Sequence, residues 1–223
     1  NMEEDYLEQL VMENTSLSSQ MREYLYVEMS HGVKVSNLAE AVARELGEDE
    51  EFCRDIAVAG LLHDIGKLWV SKHMEEAGNR ETLTIERMKI VRMHPTHSCE
   101  MLKREEYPER ITEAVLYHHE NVDGTGYPEN LRGHQIPWMA RILRICDVYC
   151  ALTTDRSYRR AFDRAAAMEI MIDEAEDYDM KIFLAFQRVL HNEVGEKLRE
   201  LCTVLSTLQK EHLPLFVKEA ELL

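Results

Sequence analysis

The chain has 223 residues, enough for one substantial domain, and its 42 acidic against 26 basic side chains give a formal net charge of −16. That field repels polyanions and excludes a general role in binding DNA or RNA. Five cysteines, Cys53, Cys99, Cys146, Cys150 and Cys202, form no C-x-x-C pair, which excludes a disulfide framework and points to a reducing, cytoplasmic compartment. No run approaches the roughly 18 uninterrupted apolar residues of a membrane span, and the acidic N-terminus is unlike a signal peptide.

Asn1 ahead of Met2 reads as an appended residue, so the natural chain starts at Met2 or further upstream. Glycine and proline are scarce and apolar residues recur at helical spacing, so the expected fold is all-α. Residues 1–24 read as an acidic, exposed lead-in helix. Val35, Leu38, Ala39, Val42 and Leu46 line one helical face that runs out at Gly47. A second apolar segment, Phe52 to Leu62, ends by Gly66. A third puts Ile111, Ala114, Val115 and His118 on one face. Asp123 to Pro137, rich in glycine and proline, should be a loop, followed by a helix from about Trp138 carrying Ile142, Ile145, Tyr149 and Leu152. From Ala165 the helical pattern returns, with Met168, Ile172, Phe183, Phe186, Val189, Leu190, Leu198, Leu201 and Leu205 expected to be buried. The core domain should span 25–192, and 193–223 a C-terminal helical extension without a catalytic motif.

Ten histidines are present, several beside acids or each other: His63-Asp64, His94-Pro95 and His118-His119-Glu120, with Asp147 further on. Neutral imidazoles and carboxylates are the ligand set of borderline divalent metals. Any one of these histidines alone reads as a hydrogen-bonded structural residue. Carried inward together on apolar helices they need a metal or a partner, because unpaired buried ionisable groups are costly.

The run Gly60-Leu61-Leu62-His63-Asp64-Ile65-Gly66-Lys67 is similar to the signature of the HD phosphohydrolase superfamily. The run from His118-His119-Glu120 through Asp123-Gly124-Thr125-Gly126-Tyr127-Pro128 resembles the extended motif of its HD-GYP subfamily. Met88 to Pro95 looks like the family's third histidine segment, and Ile136 to Arg159 continues in register. The resemblance covers about Ser30 to Met168 and implies an HD-domain helical bundle. It implies that His31 binds one metal with His63, Asp64 and Asp147, and that Asp64 bridges to a second metal held by His94, His118 and His119. The metals would be two divalent transition ions, iron or manganese, sharing a hydroxide that attacks the phosphodiester. His118 and His119 would project about 100° apart on a helix, so both can ligate only near a helix end.

The resemblance further makes Asp64 and Lys67 catalytic. Lys67 would neutralise charge on the scissile phosphate. Arg156 with Arg159 or Arg160 would grip the dinucleotide, and Tyr127 would stack on guanine. Arg141 to Arg164 holds six arginines against three aspartates, a local inversion of the chain's charge. Three positions depart from the family pattern. Val27 stands where some members carry a glutamate for a third metal, with Glu28 one residue out of register; Cys150 replaces a common second aspartate; and Leu68 to Thr84 lacks the usual proline and glycine pieces of the lid.

The expected activity is hydrolysis of cyclic di-GMP to linear pGpG, with GMP left open as a further product. The alternatives are a phosphodiesterase for another cyclic dinucleotide such as cyclic GMP-AMP, and a catalytically weak nucleotide-binding signalling module. An HD phosphohydrolase outside the GYP branch would lack the segment His118 to Pro128. The resemblance also implies coupling to an upstream sensory or receiver domain, and it allows a homodimer.

Overall fold

A computed structural model describes residues 4–76, 84–192 and 205–223. These residues form α-helices joined by turns: α1 Glu4–Met12, α2 Ser19–Glu45, α3 Glu50–Leu62, α4 Lys67–Glu76, α5 Thr84–Val91, α6 His94–Arg104, α7 Glu109–Leu116, α8 Trp138–Leu152, α9 Arg164–Asp173, α10 Met180–His191, α11 Thr207–His212 and α12 Pro214–Leu222. No strand is present among them beyond two isolated bridges, and none of their helices is long and apolar enough to cross a membrane.

Local chemistry sets the helix starts. The Ser18 hydroxyl accepts from the Met21 amide to open α2, and the Asp49 carboxylate accepts from Phe52 at 2.8 Å to open α3, where Glu50 and Glu51 also complement the helix dipole. Asp163 and Asp179 cap α9 and α10 in the same way. α2 is the central strut. It packs most extensively on α3, and also on α8, α10 and α1. Leu25, Met29, Val35, Ala39 and Val42 on its inner face are fully buried, and each large apolar side chain placed there contributes about 1.5–3 kcal/mol.

The lead-in is less exposed than the sequence suggests, since Leu7 and Val11 of α1 are buried in the common core. The expected boundary between residues 24 and 25 falls inside α2, which runs through it unbroken. Ile172 is 53% exposed despite its apolar character, because α9 buries Ala167, Met168 and Met171 instead. Of the expected extension, the segment that carries α11 and α12 returns Leu205, Leu213 and Phe216 to the core, whereas Leu198, Leu201 and Cys202 lie outside the described residues. Cys53, Cys99, Cys146 and Cys150 are buried free thiols.

Candidate metal centre

Four helix ends and two helix interiors meet at one point of the bundle. His63 caps α3, His94 opens α6 just beyond α5, and His118 and His119 lie in the turn after α7 ends at Leu116. That turn lets two adjacent imidazoles face inward, as the 100° argument requires. His31 and Asp147 come from the interiors of α2 and α8. All of these except the half-buried His119 are buried.

Two donor groups result, and Asp64 belongs to both: Asp64, His94, His118 and His119 form one, and His31, His63, Asp64 and Asp147 the other. The Asp64 oxygens divide the work. Oδ1 lies 3.1 Å from His94 Nε2 and 3.6 Å from His118 Nε2, whereas Oδ2 lies 3.4 Å from His63 Nε2 and 3.7 Å from His31 Nε2. Asp147 Oδ1 completes the second group, 2.8 Å from His31 Nε2 and 3.3 Å from His63 Nε2. Such spacings suit ligands around an ion about 2.0–2.2 Å from each. Asp64 Oδ1 and His118 Nε2 are buried without a hydrogen-bond partner, and His94 Nε2 and His119 Nε2 face each other at 3.1 Å. A cation there satisfies all four atoms, and with the second donor group the residues fit two metal ions.

The tautomers are already set for ligation. Nδ1 of His63, His94 and His118 lies 2.6, 2.7 and 2.6 Å from the carbonyls of Gly60, Val91 and Val115. A carbonyl only accepts, so each Nδ1 carries a proton and Nε2 is the nitrogen turned toward the metal position. Burial pushes His118 down to about 4 and His119 well below the ordinary imidazole range, so both are neutral at pH 7. Burial would also lower His63, but the carboxylates of Asp64 and Asp147 outweigh it and hold its imidazolium up to about 10. Burial raises Asp64 and Asp147, yet His63 and Lys67 around the first, and the hydrogen bonds of His31 and His63 to the second, bring both well below the usual carboxylate range.

A protonated His63 cannot ligate, so metal loading at pH 7 should release about one proton from this residue. Calorimetric metal titrations in two buffers of different ionisation enthalpy measure this directly; identical heats in both would contradict it. In the metal-free protein the raised pKa stabilises the fold fully below about 6.5, the unfolded value, and that contribution is lost as pH rises through about 10.

Lys67 Nζ lies 2.6 Å from Asp64 Oδ2 and 4.0 Å from Glu28 Oε2. Burial opposes its charge, but the two carboxylates more than compensate and keep it cationic. Val27 is 52% exposed, while Glu28, three residues before His31 on the same helical face, is buried beside Lys67. Glu28 belongs to neither donor group. Cys150 also stands outside both, a buried thiol within the apolar core.

The glycine-rich loop folds back on the metal ligands. Both Glu120 oxygens accept loop amides, Glu129 at 2.6 Å and Leu131 at 3.0 Å, a structural use of the third residue of His118-His119-Glu120. Gly124 has a φ of +85°, and a methyl group at Gly126 would overlap the His119 carbonyl. The Tyr127 ring stacks on His119 at 4.8 Å, with the Arg92 guanidinium 5.1 Å from its centroid. Arg156 lines a cleft with Tyr24 and Glu28. Arg159 lies over Phe162 and donates to the carbonyls of Ala151, Leu152 and Arg160, and Arg160 is exposed.

Residues 5–182 match the HD domain family model. The chain is 36% identical over 169 residues to cyclic di-GMP phosphodiesterase PA4108 of Pseudomonas aeruginosa, covering 75% of this chain and 40% of that one. It is 35% identical over 148 residues to 3'3'-cGAMP-specific phosphodiesterase 1 of Vibrio cholerae, covering 65% and 33%. Thus it spans about a third to two fifths of the length of these curated relatives. Bd1817 of Bdellovibrio bacteriovorus, described as an HDG"Y"P protein, shares the fold with a TM-score of 0.59 at 18% identity, covering 86% of this chain and 70% of that one. With the histidine and aspartate ligands converging as the motifs require, and the family model matched over residues 5–182 of the chain, the chain belongs to the HD-domain family, in its HD-GYP branch.

Proposed function

We propose that this chain is the catalytic unit of a metal-dependent phosphodiesterase that opens cyclic di-GMP to linear pGpG. The observation that carries the reading is Asp64, whose two oxygens face two separate donor groups while Lys67 sits 2.6 Å from one of them. Two divalent transition ions held there would supply Lewis-acid charge to the phosphate and lower the pKa of water. The imidazole and carboxylate set suits iron or manganese. Asp64 orients both groups, Lys67 adds positive charge for the non-bridging or leaving oxygens, and Tyr127, stacked on His119, holds that imidazole in place and offers a ring edge to a base. Arg156 grips the second phosphate or a base, with Arg160 beside it and Arg159 holding the turn. The buried free thiols are consistent with a cytoplasmic setting.

Chromatography of cyclic di-GMP digests by metal-loaded protein, with metal analysis on the same sample, tests the proposal. About two ions per chain and accumulation of pGpG are expected, and no metal after reconstitution, or an intact substrate, would sink it. Arg156→Ala should weaken binding of cyclic di-GMP about tenfold to a hundredfold, the worth of a charge-assisted contact of roughly 1.5–3 kcal/mol, without changing metal content. Calorimetry on turnover-blocked protein would show it, and unchanged affinity would move the grip to Arg160 or Arg144.

A second reading, hydrolysis of a mixed cyclic GMP-AMP, is favoured by the relative named for 3'3'-cGAMP at nearly the same identity. The same digests run with both nucleotides separate the two readings.

A further inference from the structure

The cleft that holds Arg156 also takes in Glu28, the neighbour of Lys67, and has a volume of about 470 Å³. One wall is a single face of α2, where Glu23, Tyr24 and Val27 recur at helical spacing; the other is the turn bearing Arg156 and Tyr158. At its inner end the Glu28 side chain is only 9% exposed, and its Oε2 makes no hydrogen bond although Lys67 Nζ is 4.0 Å away. A buried carboxylate oxygen without a donor is costly, so the cleft is shaped to receive a donor from an occupant. At its outer end Tyr158 is 84% exposed, which leaves a planar aromatic face open to solvent beside the acids.

We infer that this cleft receives the nucleoside of the dinucleotide half that is not under attack, and that Glu23 reads its base as guanine. The inference rests on the cyclic-dinucleotide reading above. The ribose hydroxyl is the donor that Glu28 lacks, next to the phosphate held by Lys67 and Arg156. Glu23 lies five residues earlier on α2, about 7.5 Å along the helix axis, the scale of a nucleoside from sugar to pairing edge. Guanine presents two adjacent donors on that edge, N1–H and the exocyclic amino group, and a carboxylate accepts both. Adenine presents the N1 acceptor beside a single amino group, and two acceptors then face each other. Asp155, the other acid of the outer wall, already accepts from the Ala161 amide at 2.7 Å, so Glu23 is the reader. The tyrosines supply the faces on which a purine stacks.

The test is the ratio of kcat/KM for cyclic di-GMP to that for cyclic di-AMP, measured on the metal-loaded chain and on its Glu23→Gln variant, with 3'3'-cGAMP as an intermediate case. Glu23 lies on the exposed side of α2, and metal content reports that the variant keeps its centre. The glutamine offers both a donor and an acceptor, so it serves adenine as well. The variant's preference for guanine should fall about tenfold, through KM rather than kcat. A ratio unchanged within about twofold would overturn the inference while leaving the phosphodiesterase reading intact. A wild-type chain that opens no cyclic dinucleotide would overturn both.

Discussion

Replacing Asp64 with alanine should abolish hydrolysis, by about a thousandfold or more, and strip both ions from the protein. Removal of a single charge-stabilising donor from an active site already costs about 10²–10³-fold, and here one side chain serves two groups. Its Oδ1 has His94 and His118 for neighbours, and its Oδ2 has His63, His31 and Lys67. Without it the Lys67 ammonium keeps only the more distant carboxylates of Glu28, 4.0 Å away, and of Asp147 as counter-charges, and two histidine sets lose their shared anion. His119→Ala, which touches one group alone, should lose mainly one ion. Metal analysis and single-turnover assays on the two variants decide it: full hydrolysis by Asp64→Ala, or retention of both ions, would remove Asp64 from the bridging role.

The second large effect should come from a residue that touches no ion. A methyl group on Gly66 would overlap the carbonyl oxygen of His94 and would lie 2.5 Å from the Ser98 amide and 2.7 Å from its hydroxyl. The same hydroxyl accepts from the Gly66 amide at 2.8 Å, so α6 is docked directly on the turn after His63-Asp64. Backbone atoms cannot swing aside as a side chain can. Gly66→Ala should therefore push α6 outward, carry His94 Nε2 off its position and destabilise the metal-free fold by about 1–3 kcal/mol or more, the cost of overpacking. Urea unfolding of metal-free protein, alongside metal stoichiometry, reads both consequences. An unchanged midpoint with two ions retained would show that the turn has room the structure does not give it.

Most of the ligand set was legible because His63, His94, His118 and His119 sit beside helix boundaries that composition also marks, whereas His31 lies inside α2 and rested on the motif resemblance alone. Gly66 after His63 and the loop after His119 signal where a helix stops, and Pro95 after His94 marks the first turn of the next one, so each of these boundaries lets an imidazole turn inward. Glu28 was harder to read. Taken as one residue out of register, it looked irrelevant, but on a helix the third and fourth residues before His31 both neighbour it, and burial chose the third. Ile172 misled for the opposite reason: an apolar side chain is no guarantee of burial, and α9 packs through its smaller Ala167 and its methionines. The bonds of Arg159 to the end of α8 depend on how the 156–159 turn folds back, a tertiary fact with no local signal. The same holds for α1, whose acidic surface hides Leu7 and Val11.

Three of the ligands share a local rule. His63, His94 and His118 each bond through Nδ1 to the carbonyl three residues back, and each of those carbonyls belongs to the last turn of a helix, where it has no intrahelical partner. Each imidazole is thus aimed by the helix it follows, not by the segment that comes after it. Connections can lengthen, shorten or drift in composition between these helix ends while the nitrogens keep their aim. The centre is modular in this sense: the aim of three of its ligands is set within the helices that precede them, not in the segments that join those helices to the next.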